Sequence, residues 1–343
     1  MIIRAVTGFA PPGEGALRTL KVAAHLRDCG HEVQTVRLAT PPWESWCDAE
    51  ALPARARELE AAVVAAGVQF LSLGPCSAEG VPAAVEALLA TTATFCTARL
   101  ENGGSSAAER AMRALARADR QHNLRFAALA RVEAATPFFP AAFAQREGFA
   151  MAMELTSALL AAGGDVTALA PEIEALERDA RAAQIAFLGI DPSLAPGLYG
   201  KGSVARLMAL RGAPVGSPDA PALVGELTAA LRALPVEQVG YRGVMFAVME
   251  DPGLVEALRQ REFNVDDLLE YAGRCGTGLD TVPLPGDIGA NRLAALLDRV
   301  GAVAEKGAKP LSARLFPAPG IAAGETVATG SPYLFDCPAM ELL

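Results

Sequence analysis

The chain has 343 residues, of which 52% are hydrophobic, and it carries a formal net charge of −9 at neutral pH. A chain of this length and apolar content buries most of the surface that its unfolded form exposes, which excludes a disordered or fibrous protein. The acidic balance argues against a nucleic-acid partner, because binding to phosphates requires a basic surface.

Cysteine and histidine usage limits the metal and redox chemistry of the chain. Its six cysteines form no CxxC pair and no zinc-type spacing, and three histidines are too few for a histidine-rich metal site. The first residues do not resemble a signal peptide, and no apolar run long enough to span a membrane is free of charges or Gly/Pro breaks. We therefore expect a cytoplasmic protein with reduced thiols and no membrane contact.

Short β-branched apolar runs alternate with Ala/Leu/Arg/Glu stretches of helical period. This alternation is typical of an α/β fold with a mostly parallel sheet. Strands are predicted at Ile2–Phe9, Glu32–Ala39, Phe70–Gly74, Ala93–Leu100, Arg125–Arg131, Gln184–Ile190, Gly243–Met249, Leu279–Leu284, Leu311–Phe316 and, weakly, Tyr333–Phe335. No domain boundary is evident, so we expect a single domain over residues 1–343 with two five-stranded halves, at about 1–165 and 166–343.

Helices fit between the predicted strands, and glycine recurs where they end. They are predicted at Ala16–Cys29, Ala49–Ala65, Val81–Leu89, Ala107–Asp119, Gly148–Ala162, Pro171–Ala183, Pro221–Ala233, Val255–Arg261, Val265–Arg274 and Ile288–Val300. Asn264 precedes two aspartates at the start of the Val265 helix, which indicates an N-cap with negative charge in the first turn.

A glycine-rich stretch at residues 275–287 concentrates candidate chemistry. Gly276 and Gly278 would let backbone amides approach a ligand or cofactor closely. The carboxylates of Asp280 and Asp287 are oxygen ligands that suit Mg²⁺ or Ca²⁺, although Asp287 fits a helix N-cap equally well. Cys275 is a candidate nucleophile or, alternatively, a small buried hydrophobic residue.

Acidic residues also follow several predicted strands. Asp191 comes directly after one strand, Glu250 after another and Glu101 after a third. Because functional groups of parallel α/β folds gather at the carboxyl ends of strands, these acids predict a shared polar pocket. Each acid taken alone could equally be a helix cap or a solvated turn.

Arg37 and Arg314 lie within predicted strands, where a buried guanidinium needs an anion. Each could pair with an acidic side chain of the chain itself, or bind the carboxylate or phosphate of a ligand. The histidines have no partner visible in the sequence and are not candidate bases.

Several sequence blocks resemble an uncharacterised family, catalogued as domain-of-unknown-function family 711. The blocks lie at residues 34–42, 137–142, 189–196, 241–252, 263–280 and 311–315, and the Cys-Gly-Thr-Gly-Leu-Asp run at 275–280 is the most specific. That family is similar in fold to glycyl-radical enzymes of the pyruvate formate-lyase type. The resemblance implies a ten-stranded α/β barrel of two five-stranded halves, in which the loop around Cys275 would thread toward the centre. The chain is much shorter than the radical enzymes and lacks their glycyl-radical motif, so radical chemistry is not expected.

These observations predict an enzyme that acts on a small anionic metabolite in a carboxylate-lined pocket at the barrel centre. The catalytic candidates are Cys275, Asp280 and Glu250; the candidate binding residues are Gly276, Gly278, Arg37 and Arg314; the candidate ligands of a divalent cation are Asp191, Asp280 and Asp287. A hydrolase, lyase or isomerase fits these residues, and no nucleotide-cofactor motif is present.

Two other functions stay open at this point. The same scaffold could bind a metabolite or regulate without turnover, or it could be a radical enzyme with a thiyl radical at Cys275. The acidic charge is compatible with a monomer or a homo-oligomer, and a small molecule is the expected partner.

Overall fold

The computed structural model describes residues 1–197 and 200–342. Its main element is one ten-stranded sheet. The strands of this sheet are β1 Ile2–Phe9, β2 Glu32–Val33, β3 Val36–Ala39, β4 Phe70–Cys76, β5 Thr94–Arg99, β6 Phe126–Ala130, β7 Gly148–Met153, β8 Phe187–Asp191, β9 Gly278–Pro285 and β10 Leu311–Ala318. Two further short strands, β11 Thr326–Val327 and β12 Cys337–Pro338, pair with each other.

The sheet contains two sets of strands that run in opposite directions. Its order is β8-β7-β1-β3-β4-β5-β6-β10-β9, with β2 paired to β1. Strands β1 and β3 to β6 are mutually parallel. Strands β7 and β8 are parallel to each other, as are β9 and β10, and both pairs join the first set through antiparallel contacts. This arrangement agrees with the expectation of an α/β fold, although the two sets contain six and four of the described strands rather than five each.

Helices pack against the sheet through buried apolar faces. They are α1 Ala16–Asp28, α2 Leu52–Ala66, α3 Val81–Leu89, α4 Gly104–Ala118, α5 Thr156–Ala161, α6 Ala170–Ala182, α7 Val204–Leu210, α8 Ala220–Arg232, α9 Pro252–Arg259, α10 Val265–Arg274 and α11 Ala290–Gly307. The predicted bounds of α3 and α10 match the structure, and Asn264 caps α10 with a capping box. No helix in the described part of the chain is long and apolar enough to cross a membrane.

The prediction of a helix over Gly148–Ala162 is wrong in its first half. The residues of β7 are Gly-Phe-Ala-Met-Ala-Met, and Ala and Met have high helix propensity. This segment nevertheless lies between β1 and β8, with all residues after Gly148 buried. Burial between two strands outweighs local propensity, and the helix α5 begins only at Thr156.

Two of the predicted strands, at residues 243–249 and 333–335, are wrong. Residues 243–249 form single parallel bridges, Val244 with Leu194 and Ala247 with Asp280, and then a short 3-10 helix at Val248–Glu250. Because the segment changes partner after three residues, no continuous ladder forms. Residues 333–335 are not a strand either.

The predicted barrel is not confirmed. Among the described residues, the hydrogen-bonded strand order has two ends, at β8 and β9. The coarser expectation, a mixed α/β fold built on one large sheet, holds.

Asp251 joins two helices next to the 3-10 turn at Val248–Glu250. Its buried carboxylate accepts from the amides of Gly253 and Leu254 in the first turn of α9, at 2.8 and 3.2 Å. The same carboxylate accepts from the amide of Val204 in α7, at 2.6 Å, and from the hydroxyl of Ser203, at 2.6 Å. One side chain therefore satisfies donors at the start of two helices.

We predict that Asp251→Ala lowers the free energy of unfolding by about 3 kcal/mol or more, because it leaves several buried amides without an acceptor. Chemical denaturation followed by circular dichroism measures this loss. Asp219→Ala is the matched control, since the Asp219 side chain makes no capping hydrogen bond at the start of α8. An equal loss in both variants would contradict the assigned role of Asp251.

Candidate functional site

A cavity of about 550 Å³ lies against the sheet, within the size range of small-molecule sites. It is lined by side chains from β1, β3, β4, β5, β6, β9 and β10 and from the segment 241–250. Residues 331–333 line it as well. Seven strands thus contribute side chains to one cavity.

A network of four charged side chains forms one wall of the cavity. Arg314 donates from Nε and Nη2 to the two carboxylate oxygens of Asp280, at 2.6 and 2.9 Å. It also donates from Nη2 to Glu250, at 2.7 Å. The other oxygen of Glu250 accepts from Arg4, at 3.2 Å. The four side chains are only 9 to 23% exposed, so the pairs are more strongly coupled than surface ion pairs.

An irregularity in the pairing of β9 and β10 places Asp280 next to Arg314. Ala313 pairs with Leu279 but Leu315 pairs with Val282, so two residues of β9 lie opposite Arg314. Such a bulge redirects side chains and is common near functional sites. Thr281, one of these two residues, has a φ of 43°, which is strained for a β-branched residue. Its hydroxyl accepts from the amide of Met249, at 3.2 Å, and so ties the bulge to the turn that carries Glu250.

Arg37 lines the cavity without a carboxylate partner among the described residues. Its Nε donates to the hydroxyl of Thr35 at 3.0 Å, and its guanidinium carbon lies over the rings of Phe139 and Phe70, at 5.3 and 5.7 Å. Burial, and then the positive charge of Arg4, lower the pKa of Arg37 to about 9. Glu250 opposes this shift only in part, and an anionic ligand beside the guanidinium would raise the pKa of Arg37 again.

The cavity is more positive than the protein that encloses it. Its charged lining residues are four arginines (Arg4, Arg37, Arg125 and Arg314) and three carboxylates (Asp119, Glu250 and Asp280). The chain as a whole has a net charge of −9. A local excess of positive charge in an acidic protein favours an anionic ligand.

His122 and Arg125 form a second polar group of the lining. Arg125 donates to the carbonyl oxygens of Leu88 and Thr94, both at 2.9 Å, and to Nδ1 of His122 at 2.6 Å. A guanidinium cannot accept a hydrogen bond, so Nδ1 is unprotonated and the proton of the neutral imidazole lies on Nε2. Burial and then Arg125 lower the pKa of His122, which keeps the ring neutral. In this arrangement His122 is a hydrogen-bond donor rather than a base.

Asp280 is the best-placed group for proton transfer. Burial raises the pKa of Asp280 above its usual range, Arg314 opposes the shift, and the negative charge of Glu250 adds to it. Each carboxylate oxygen keeps a further lone pair beside its bond to Arg314. Burial also raises the pKa of Tyr241, another lining residue, so its hydroxyl stays a proton donor at neutral pH.

The structure separates Cys275, Gly276 and Gly278 from the cavity wall. Cys275 is fully buried, and its sulfur lies 3.3 Å from the hydroxyl of Thr277. A Cβ on Gly278, whose φ is 101°, would lie 2.1 Å from the carbonyl oxygen of Ser312 in β10. A Cβ on Gly276 would lie 2.8 Å from the carbonyl oxygen of Tyr241. The glycines allow backbone segments to pack closely, while the binding role of Gly276 and Gly278 and the catalytic role of Cys275 stay predictions for residues outside the cavity lining.

The three predicted cation ligands do not come together. Asp191 is buried away from the cavity and accepts from the amides of Ser193, Tyr241 and Arg242. Asp287 is exposed, and the N-cap of α11 is Gly289, so Asp287 does not cap this helix. In residues 1–197 and 200–342 no group of three or more His, Cys, Asp or Glu side chains has metal-binding geometry. Both carboxylate oxygens of Asp280 accept hydrogen bonds from Arg314.

Sequence reasoning found Arg37, Arg314, Asp280 and Glu250 but missed Arg4 and Tyr241. Arg4 carries the same signal as Arg37, a charge inside an otherwise apolar strand, and that signal was sufficient to find it. Tyr241 and His122 carried no local signal, because their position in the cavity depends on contacts distant in sequence.

Comparison with known proteins gives one family. A family model described as "Uncharacterised ACR (DUF711)" matches residues 15–329. A UPF0210 protein of Pyrobaculum arsenaticum is 33% identical over 154 residues, covering 43% of this chain and 34% of that protein. A UPF0210 protein of Desulforudis audaxviator is 33% identical over 158 residues, covering 45% of this chain and 35% of that protein. The matched part thus spans about a third of the length of these curated relatives.

We predict that Arg314→Met lowers the free energy of unfolding by about 3 kcal/mol, because it leaves Asp280 and Glu250 without their shared cation in a poorly hydrated site. Urea denaturation measures the change. The control is Arg131→Met, since Arg131 pairs with Glu305 on the surface, where both side chains are more than 40% exposed and less than about 1 kcal/mol is expected. Equal losses would show that the network contributes no more than a surface ion pair.

Proposed function

The chain belongs to the DUF711 family, whose members are uncharacterised, and we propose that it is an enzyme that binds a small anionic metabolite in the cavity. The observation that carries this proposal is the guanidinium of Arg37, a cavity-facing cation for which the described residues supply no carboxylate. Burial of such a charge is costly unless an anion accompanies it. The anion is therefore part of the function, and Arg37 is its anchor.

Proton transfer is the chemistry that the opposite wall supports. Asp280 lines the same cavity, and burial raises its pKa toward the range in which a carboxyl group can both accept and release a proton. Arg314 and Glu250 hold Asp280 in position, and Tyr241 offers a neutral hydroxyl. A lyase, isomerase or hydrolase step that begins with proton removal fits this set. Glu250 acts in it as a positioning residue.

A non-catalytic binding protein is the second candidate. Both oxygens of Asp280 and both oxygens of Glu250 already accept hydrogen bonds from arginines. Carboxylates that are paired in this way are held in place, and their charge is compensated. The wall of a binding protein needs the same properties. This candidate predicts a ligand that stays bound through purification and leaves chemically unchanged.

We further propose that the sheet closes around the cavity as a barrel of the pyruvate formate-lyase type. In support, the segment 237–247 pairs with residues of β8, of the loop that follows it, and of β9. Ile190 donates to the carbonyl of Glu237 at 2.8 Å, Met245 donates to that of Leu194 at 2.8 Å, and Ala247 bridges Asp280. Closure of this kind would fix Glu250 and Asp280 at one place on the wall.

The proposed catalysis is tested with the variant Asp280→Asn. We expect the wild-type protein to consume at least one small carboxylic acid from a deproteinised cell extract, detected by mass spectrometry. Asp280→Asn should abolish the consumption while the same acid still raises the melting temperature, because Arg37 is intact. Asp287→Asn is the control, since Asp287 is exposed and outside the cavity. Consumption by Asp280→Asn at the wild-type rate would contradict the role of Asp280, and a retained, unconverted ligand would support the binding protein instead.

The pH dependence gives an independent test. A base must be deprotonated to act, so the rate should fall as the pH is lowered through the pKa of Asp280, which burial places above the usual range. The negative charge of Glu250 contributes to this shift, so Glu250→Gln should move the profile to lower pH. Glu256→Gln, on the exposed face of α9, should leave the profile unchanged. A shift to higher pH in Glu250→Gln would contradict the assignment.

A further inference from the structure

We propose that the ligand is a monocarboxylate with an apolar body, bound through its carboxylate to the free edge of Arg37. This inference rests on the proposed function and narrows it from small anions in general to one class. Three independent features support it: the hydrogen-bonding state of Arg37, the charge of its surroundings, and the apolar character of the remaining wall.

The hydrogen bonds of Arg37 leave the two Nη atoms of its guanidinium available. Nε is occupied by the hydroxyl of Thr35, at 3.0 Å. Neither Nη atom donates to another described residue, although the side chain keeps accessible surface in the cavity. Two parallel N–H groups at the end of a planar guanidinium match the two oxygens of a carboxylate.

Aromatic rings limit the directions from which an anion reaches Arg37. Phe139 and Phe70 lie under its guanidinium carbon at 5.3 and 5.7 Å, and Phe95 packs edge-on against both rings, with centroids 5.1 and 5.5 Å apart. All three rings also line the cavity, so the wall around the guanidinium is apolar and poorly hydrated. Exclusion of water also strengthens a charge-assisted hydrogen bond formed there.

The charge balance of the wall fits a single negative charge. Arg4 and Arg314 form ion pairs with Glu250 and Asp280, and Arg125 donates to backbone carbonyls and His122, which leaves Arg37 as the lining arginine with free Nη atoms among the described residues. A monoanion neutralises its charge. A phosphate monoester or a dicarboxylate would bring a second negative charge into a poorly hydrated site, where each Nη atom of the other three arginines already donates to a protein acceptor.

The rest of the cavity accommodates an apolar body. The lining includes a set of apolar side chains besides the three rings: Leu124, Ala127, Phe138, Ala195, Met245 and Ala247. A cavity of about 550 Å³ is much larger than a carboxylate alone, so contact with this surface requires a side group of several carbon atoms. The tail of the ligand then points away from Arg37 and packs on these apolar side chains.

The test compares matched probes on the wild-type protein by isothermal titration calorimetry at low salt. The probes are 3-phenylpropionate, its neutral isostere 3-phenylpropionamide, the dicarboxylate phenylsuccinate and phenyl phosphate. We expect 3-phenylpropionate to bind at least about tenfold more tightly than each of the other three, since only it supplies one charge, a planar carboxylate and an apolar body. Equal binding of the acid and the amide, or no binding by any probe, would overturn the inference.

Variants then assign the binding to Arg37. Arg37→Met should abolish the preference for the acid over the amide. Arg37→Lys should retain only part of this preference, because an ammonium keeps the charge but lacks the two parallel N–H donors of a guanidinium. Arg117→Met, an exposed position on α4, is the control and should bind as the wild type does. If phenyl phosphate or phenylsuccinate binds most tightly and Arg37→Met abolishes that binding, the monocarboxylate is overturned while the proposed anion site stands. If no probe depends on Arg37, the anion site itself is overturned.

Discussion

The bidentate contact between Arg314 and Asp280 is the interaction on which the cavity wall depends. Arg314 lies on β10, Asp280 on β9, and Glu250 on the turn that precedes α9; Arg4 extends the network to β1. These elements are far apart in sequence and are held together at one point. Charges buried to this degree stabilise a structure only when each has a partner with good geometry. The loss of one member therefore leaves its partner as a buried, unpaired charge. Each charged side chain of this network has an opposite charge within hydrogen-bonding distance.

Arg37 differs from the other three arginines of the cavity because neither of its Nη atoms donates to another described residue. Arg4 and Arg314 contact carboxylates, and Arg125 contacts backbone carbonyls, whereas Arg37 has one hydroxyl and two aromatic neighbours. The difference lies in which acids the fold brings within reach. A protein of net charge −9 has many carboxylates available, yet none of those in the described residues is placed beside this guanidinium. In the function proposed here, this free cation is the anchoring end of the cavity and Asp280 is its reacting end.

The glycine-rich run at residues 275–280 contributes to the site indirectly. Gly278 lets β9 approach β10 so closely that no side chain fits between them, and the bulge that follows turns Asp280 toward Arg314. The strain of Thr281 is held by burial and by its bond to Met249. The motif thus determines where one carboxylate lies, and its cysteine and glycines are the support for that placement.

Most of the fold followed from local patterns, because burial of apolar residues on regular elements leaves a periodic signal. The helices α1, α3 and α10 and the strand β1 could be read from the sequence alone. The strand β7 could not, since its Ala and Met residues favour a helix and only the neighbouring strands β1 and β8 make it extended.

The chemical types in the cavity were also determined by the sequence: Arg37, Arg314, Asp280 and Glu250 are charges in or beside apolar strands. Which charge pairs with which was decided by tertiary structure. Arg314 and Arg37 look alike in sequence, yet one is neutralised and the other is free, because the bulge in β9 delivers Asp280 to the first, and no described element delivers an acid to the second. Asp191 and Asp287 look like partners of Asp280 and lie elsewhere, since backbone amides hold the one and solvent surrounds the other. The residue type determines which partners a side chain can bind. The packing of distant segments determines whether that partner is another residue of the chain or is left to a ligand.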